Sequence, residues 1–292
     1  MAARSADANS HHDRHSEAKD FVTTSRLERE HYLKSGLKDL YQGIVQWRPW
    51  YVLAVNDIRM RYRRSRLGQF WLTLSMAVTI LGMSLVFSGI MQMPMKDYLL
   101  FLGVGMIVWN LISSTLIELA SSFISSDLYL RSYPGPRSTV VNRVILRSLI
   151  VNAHNFAILP IIWLLTGFPV GWPTLLVIPG LFLVTLNFYW FGLLLGPFCA
   201  RFRDVPQIVQ SVLQLMFFLT PIMYRPDHLK GNLELLINYN PFASAVDLLR
   251  SPLIGQVPET RNFVVVAIVT VLGFAVAVPS YARFRARIVY WL

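Results

Sequence analysis

An all-α membrane protein is the fold class this sequence predicts: six transmembrane helices preceded by an amphipathic interface helix, with re-entrant half-helices between spans five and six. Three observations predict it. Of 292 residues, 54% are hydrophobic and only 15% charged, with a mean hydropathy of +0.46, outside ordinary soluble composition. Uncharged apolar stretches recur at the roughly 20 residues needed to cross about 30 Å of hydrocarbon. The basic residues punctuate these stretches and fall mainly on one side of them.

Residues 1–35 are polar, mixed in charge and without periodicity, so they are expected to form a disordered extension with no signal peptide. Over 36–68, Leu37, Leu40, Tyr41, Ile44 and Trp47 share one helical face, and Tyr51, Val52, Val55, Ile58 and Tyr62 repeat the pattern after Pro49. This predicts an amphipathic helix lying in the membrane interface. Spans are predicted at 69–91, 98–120, 143–165, 174–199, 205–224 and 262–282. From Ser148 to Ala200 there is no Asp, Glu, Lys or Arg. That stretch is too long for one helix, and the turn-formers of Thr166-Gly-Phe-Pro-Val-Gly-Trp-Pro173 divide it into a hairpin. Pro221 in the fifth span is a candidate hinge. The outer segment 225–261 holds two apolar stretches too short to span, Leu233 to Ile237 and Phe242 to Leu249. Asn240-Pro241 separates them, as expected of re-entrant half-helices covered by protein.

Charge sets the orientation. With the N-terminus inside, 22 of the 27 Lys and Arg residues lie on the cytoplasmic side and five outside, namely Lys96, Arg225, Lys230, Arg250 and Arg261. The positive-inside rule therefore predicts both termini in the cytoplasm of a multi-pass protein. The net charge of +11 belongs to membrane flanks and does not indicate nucleic acid. The single cysteine, Cys199, excludes an internal disulfide and reads as a packing residue.

No phosphate-binding loop of the form G-x-x-x-x-G-K-[ST] is present, and no Gly-Lys pair occurs. Catalytic pairs are missing too: Glu118 and His154 are isolated in sequence, with His154 expected in a hydrogen-bonded packing role. The chain is thus expected not to be an enzyme and to carry no cofactor or metal. Five arginines, Arg59, Arg61, Arg63, Arg64 and Arg66, crowd the approach to the first span. Their general reading is a topology anchor attracting anionic lipid. Their specific reading is a receptor for a diphosphate, which guanidinium forks match in bidentate geometry.

The pattern Asp57-x-Arg59-x-Arg61-Tyr62-Arg63-x-Ser65-x-Leu67-Gly68-x-x-Trp71 resembles the opening motif of permease subunits of polysaccharide ABC exporters, the O-antigen, teichoic-acid and capsule group of type-2 ABC permeases. Arg201-Phe-Arg-Asp-Val205, Leu219-Thr-Pro-Ile-Met-Tyr224, Asn240-Pro-Phe242 and Arg250-Ser-Pro-Leu-Ile-Gly255 follow in that family's order. The resemblance implies a homodimer with two copies of a nucleotide-binding subunit that holds ATP and Mg. It also implies a lipid-linked polysaccharide as substrate and the bacterial plasma (inner) membrane as location. Teichoic-acid, capsule and small-lipid or drug exporters stay open as alternatives. Coupling to the ATPase would fall to Asp127, Leu128, Tyr129 and Arg131 in the turn between spans two and three, and to Arg201, Arg203 and Asp204. Tyr224, Tyr239 and Phe242 are outer-gate candidates, because aromatic rings close a pore by dewetting and stack on sugars. Trp71, Phe87, Trp109, Phe217 and Phe218 are candidates for a sugar-tolerant channel lining.

A secondary transporter would need buried acidic pairs or two related halves with interrupted helices. A membrane glycan enzyme would need paired carboxylates, and Asp97, Glu118, Asp127 and Asp204 are scattered in the sequence.

Overall fold

A computed structural model describes residues 32–63, 68, 70–168, 171–225 and 239–292. The described residues contain helices and no strand. At the N-terminal side lie α1 (residues 32–45), α2 (Trp47–Tyr62) and α3 (Phe70–Ile90). Then follow α4 (Met95–Ala120), α5 (Asp127–Ser132), α6 (Thr139–Phe156), α7 (Ile158–Thr166) and α8 (Val177–Arg201). The chain ends with α9 (Val205–Leu219), α10 (Pro241–Leu253), α11 (Thr260–Phe284) and α12 (Ile288–Trp291). Five helical stretches are long and apolar enough to cross a membrane: Phe70–Ile90, Met95–Ala120, Thr139–Thr166, Trp172–Arg201 and Thr260–Trp291.

At the centre is α4, largely apolar and packed by α3, α6, α7, α8, α9 and α10. Against it lies α8, which with α11 forms the most extensively packed pair. Interhelical hydrogen bonds knit these apolar surfaces. Thr115 Oγ1 lies 2.6 Å from Ser148 Oγ, Asn110 donates to Asn152 at 3.0 Å, and Asn187 donates to Thr270 at 2.8 Å. Small polar residues of this kind are the usual adhesive between helices in lipid. Cys199 is buried in α8.

Proline accounts for two departures from the predicted spans. The expected single interface helix over 36–68 is broken at Gln46, whose ψ of 66° is non-helical. A ring at Pro49 clashes with the carbonyl four residues earlier, so the chain restarts and places Pro49 in the first turn of α2, where no N–H is needed. The first of these helices already includes residues 32–35, which the sequence assigned to the extension. The expected third span, 143–165, divides at Ala157 because Pro160 cannot donate to the Phe156 carbonyl. The expected fifth span, 205–224, is helical only to Leu219. At 15 residues, α9 is about 22 Å long. Pro221 therefore follows a helix end and does not kink a helix.

The backbone freed beyond α9 is paired by side chains from elsewhere. Asn240 donates to the Leu219 carbonyl at 3.3 Å, Arg250 to the Pro221 carbonyl at 2.7 Å and Tyr98 to the Met223 carbonyl at 2.8 Å. Irregular backbone at membrane depth requires such partners. Of the two expected half-helices, Phe242 to Leu249 lies within α10, which is largely buried. Leu233 to Ile237 falls outside the described residues.

In α1 and α2 the usual burial pattern is inverted. The apolar residues Leu37, Tyr41, Ile44, Trp47 and Val52 are exposed, while Asp39 is only 5% exposed. Asp39 accepts from the Arg137 and Ser138 amides, each at 3.1 Å, from Tyr281 Oη at 2.8 Å and from Arg285 at 2.9 Å. The helix can approach because a Cβ on Gly36 would lie 2.5 Å from Ala282 Cβ, and one on Gly43 would overlap Ser138 Oγ. An apolar face left outward beside a polar anchor is the arrangement lipid requires.

Asp39→Ala leaves Arg285 and Tyr281 facing an uncompensated gap, and removing one partner of a buried pair costs about 3 kcal/mol. Thermal unfolding of the variant in detergent is expected at least several degrees below the wild type.

Candidate functional site

The two ends of the helical bundle differ in chemistry. At the basic end, α2 carries Asp57, Arg59, Arg61 and Arg63 beside α6. Arg143 grips Asp57 with two hydrogen bonds of 2.8 and 2.6 Å, and Arg147 reaches the same carboxylate at 2.9 Å. Arg147 also donates twice to Glu118, at 3.2 and 3.1 Å, and Arg61 joins it at 3.3 Å. Glu118, isolated in the sequence, is therefore the second anion of a five-member network. Its partners come from α2 and α6, which sequence proximity could not reveal. His154 bonds the Ile150 carbonyl at 2.9 Å and packs edge-on to Phe70.

This network sorts the arginines. Arg61, Arg143 and Arg147 are held by carboxylates; Arg59 and Arg63 are exposed, with no ion pair among the described residues. Arg64 and Arg66 lie outside the described residues. Two guanidiniums on one exposed helix surface can receive an oxyanion without first giving up an internal partner.

A second group lies at the same end. In α5, Asp127 and Arg131 pair one turn apart, Leu128 is 80% exposed and Tyr129 stacks on Tyr133 with ring centres 5.4 Å apart. Burial raises the pKa of the Tyr129 phenol, so its hydroxyl stays protonated at neutral pH. Arg201 lies over the Phe202 and Trp291 rings, and Arg203 donates to the Leu292 carbonyl at 3.0 Å. The Asp204 carbonyl accepts from the Gln207 and Ile208 amides as α9 begins. Helix α12 touches both α5 and α8, so it lies between the two segments.

Toward the other end, residues from three elements meet. Trp109 of α4 is buried with its ring centre 5.9 Å from Phe217 of α9 and 6.0 Å from Phe242 of α10. Phe218 adjoins Phe217 at 5.5 Å but faces outward. Trp71 is exposed and Phe87 half-buried on α3. Tyr224 donates to the Phe218 carbonyl at 3.4 Å, and Tyr239 is 77% exposed. Of the three outer-gate candidates, Phe242 alone joins the Trp109 cluster. Sequence reasoning placed Asn240 and Arg250 in family motifs without a site role and gave none to Tyr98, Asp247 or Asn262, although an arginine inside an apolar stretch is itself a signal.

Most of these features fall within one stretch of chain. Residues 48–254 match the ABC-2 type transporter family, and the chain belongs to that family. It is similar to the O-antigen export system permease protein RfbA of Klebsiella pneumoniae, 24% identical over 239 residues covering 80% of this chain and 90% of that protein. A protein of the same name from Myxococcus xanthus is 27% identical over 198 residues, covering 66% and 75%. The polysialic acid transport protein KpsM of Escherichia coli is 23% identical over 240 residues, covering 78% and 90%.

Asp57→Asn removes the charge that holds Arg143 and Arg147 together. It is expected to lower stability by about 2 to 3 kcal/mol, whereas Arg63→Gln should change it by less than about 0.5 kcal/mol. Parallel unfolding curves in detergent distinguish the two.

Proposed function

We propose that this protein is the channel-forming permease subunit of an ABC exporter that carries lipid-linked polysaccharide, an O-antigen-like glycan on a polyprenyl diphosphate, outward across the bacterial inner membrane. The observation that carries the proposal is the family match together with relatives named for O-antigen export or polysialic acid transport. In this reading Arg59, Arg61, Arg63, Arg64 and Arg66 receive the diphosphate at the cytoplasmic portal. Arg59 and Arg63 make first contact because the carboxylates leave them uncommitted.

In this reading the chain crosses six times with both termini in the cytoplasm, and the connections between ends support it. The start of α9 adjoins Arg203 and Leu292 at the basic end, while the segment beyond Leu219 meets Tyr98, Asn240 and Arg250 at the other. In this reading the short helix and its unwound continuation traverse the bundle together. Arg285 returns to Asp39 at the basic end. A homodimer is supported by the sparse burial of α3 and α9, where only Ile80, Ser84 and Leu213 are buried. The two helices flank α4, and their remaining surface suits either lipid or a second copy lining the channel with Trp71, Phe87 and Phe218. The Trp109, Phe217 and Phe242 cluster, with Tyr224 and Tyr239 nearby, supports an outer constriction.

Two nucleotide-binding subunits, carrying ATP and Mg, would dock on Asp127, Leu128, Tyr129 and Arg131, with Arg201, Arg203 and Asp204 as the adjoining contact. An 80% exposed leucine on a short, sharply ended helix is a surface that a partner would cover. A capsule polysaccharide is a second substrate reading, favoured by the similarity to the polysialic acid transport protein.

The complex is reconstituted with a co-purified ATPase subunit in the experiment that tests this function. The Leu128→Ala, Arg131→Ala double variant should hydrolyse ATP but export at least tenfold less glycan per ATP. Absence of any stoichiometric ATPase from wild-type preparations that still transport would overturn the proposal. Separately, Arg59→Gln combined with Arg63→Gln should lower export about tenfold or more while unfolding at the wild-type temperature, since each charged hydrogen bond contributes about 1.5 to 3 kcal/mol. Unchanged export would remove the portal role.

A further inference from the structure

A cavity of about 370 Å³ opens at the end of the bundle opposite Arg59 and Arg63. Its walls come from the start of α4, the segment after α9, α10 and the start of α11, and include Phe101, Arg225, Asp247, Arg250 and Asn262. Arg250 is only 4% exposed. A guanidinium carries five N–H donors. One from Nη1 bonds the Pro221 carbonyl at 2.7 Å and one from Nη2 bonds Asp247 at 3.0 Å, but the buried Nε has no partner. Asp247 is divided, since its other oxygen accepts from Asn262 at 2.7 Å.

A second cation converges on the same place. Arg250 lies 4.4 Å and Arg225 5.4 Å from the centre of the Phe101 ring. Arg225 is exposed at the cavity and has no carboxylate partner among the described residues. Glu259, also at the wall, pairs with Arg261 at 3.1 Å. Two guanidiniums drawn to one ring repel each other, and an unpartnered buried donor is costly. An oxyanion between them would relieve both. The cavity's size falls in the range that holds a small ligand or a headgroup.

We infer that this cavity is a binding site for a phosphate-bearing group, held by Arg250 and Arg225 over Phe101. Two sources have this chemistry: the headgroup of an anionic lipid in the facing leaflet, and a phosphate carried by a soluble or transported molecule. Guanidinium forks favour phosphate through paired hydrogen bonds, and Arg250 is pre-oriented by Asp247 and Pro221, so little side-chain freedom is lost on binding. The site stands on this geometry and is independent of the export reading.

The full-length protein, purified in a maltoside detergent that carries no phosphate, is titrated with inorganic pyrophosphate while its unfolding temperature is followed. A saturable rise is expected. Arg225→Gln, altering an exposed residue, should unfold at the wild-type temperature without ligand and need about tenfold more pyrophosphate for half the effect. Arg250→Lys, which retains charge but lacks the Nε donor, should weaken the response likewise. In the Arg59→Gln with Arg63→Gln background, where the basic portal contributes least, a saturable rise should remain and should still be weakened by Arg225→Gln, separating this site from the portal. Phosphatidic acid added to the micelles distinguishes the sources. A saturable rise that removes the pyrophosphate effect supports a lipid headgroup, and no competition supports a soluble or transported phosphate. The inference is overturned by no pyrophosphate or phosphatidic acid response, by a response unchanged in Arg225→Gln, by one abolished in the Arg59 and Arg63 variant, or by a larger response to glucuronate than to pyrophosphate.

Discussion

A charge or a bare backbone carbonyl taken into a membrane must bring its partner with it, and that constraint organises both ends of this protein. At the basic end, Asp39, Asp57 and Glu118 face arginines from distant parts of the chain, so that α1, α2, α4, α6 and α11 share two ionic junctions. At the other end the carbonyls left by the early termination of α9 are taken by Tyr98, Asn240 and Arg250. Hydrocarbon offers no water to substitute for any of these groups. The apolar helix surfaces, by contrast, are as comfortable against lipid as against one another. Polar junctions therefore fix the positions that greasy surfaces leave undetermined.

Neutralisation also divides labour among residues of one type. Three of the arginines at the basic end are held by two carboxylates, which makes them part of the scaffold. Arg59 and Arg63 occupy the same region without such partners. A cluster that looks uniform in sequence thus resolves into anchors and available cations. The anchors hold α2 rigidly against α6, which keeps the available ones in a defined place. Helices α1 and α2 leave several apolar side chains outward, and Asp39 and Asp57 tie them to the bundle.

The sequence makes the apolar helices legible because length and hydropathy are local properties. Proline marks the breaks at Gln46 and Ala157, although their consequence depends on whether the freed carbonyl can be tolerated. The end of α9 was less visible. A stretch such as Val205 to Tyr224 is apolar enough to be read as one helix, and only the donors at Tyr98, Asn240 and Arg250, between 20 and 125 residues away for the recorded bonds, make its unwinding acceptable. Glu118 looks isolated in the sequence for the same reason, since its arginine partners 29 and 57 residues away leave no periodic trace. Local motifs located the α5 turn and the arginine cluster, but not which arginines were already engaged.

The unwound segment after α9 links architecture to mechanism. Were α9 to continue as a helix through Tyr224, the Pro221 carbonyl would turn into the helix and Arg250 would lose its best acceptor. A buried guanidinium with Asp247 alone for support, itself shared with Asn262, would then be poorly compensated. The short helix, the buried arginine and the polar cavity beside Phe101 are therefore one arrangement, each part making the others tolerable. Because Phe242 lies in the first turn of α10 and packs on Trp109, the same helix that presents Arg250 also carries an aromatic contact to α4. Any displacement of α10 would move the polar cavity and the Trp109 contact together.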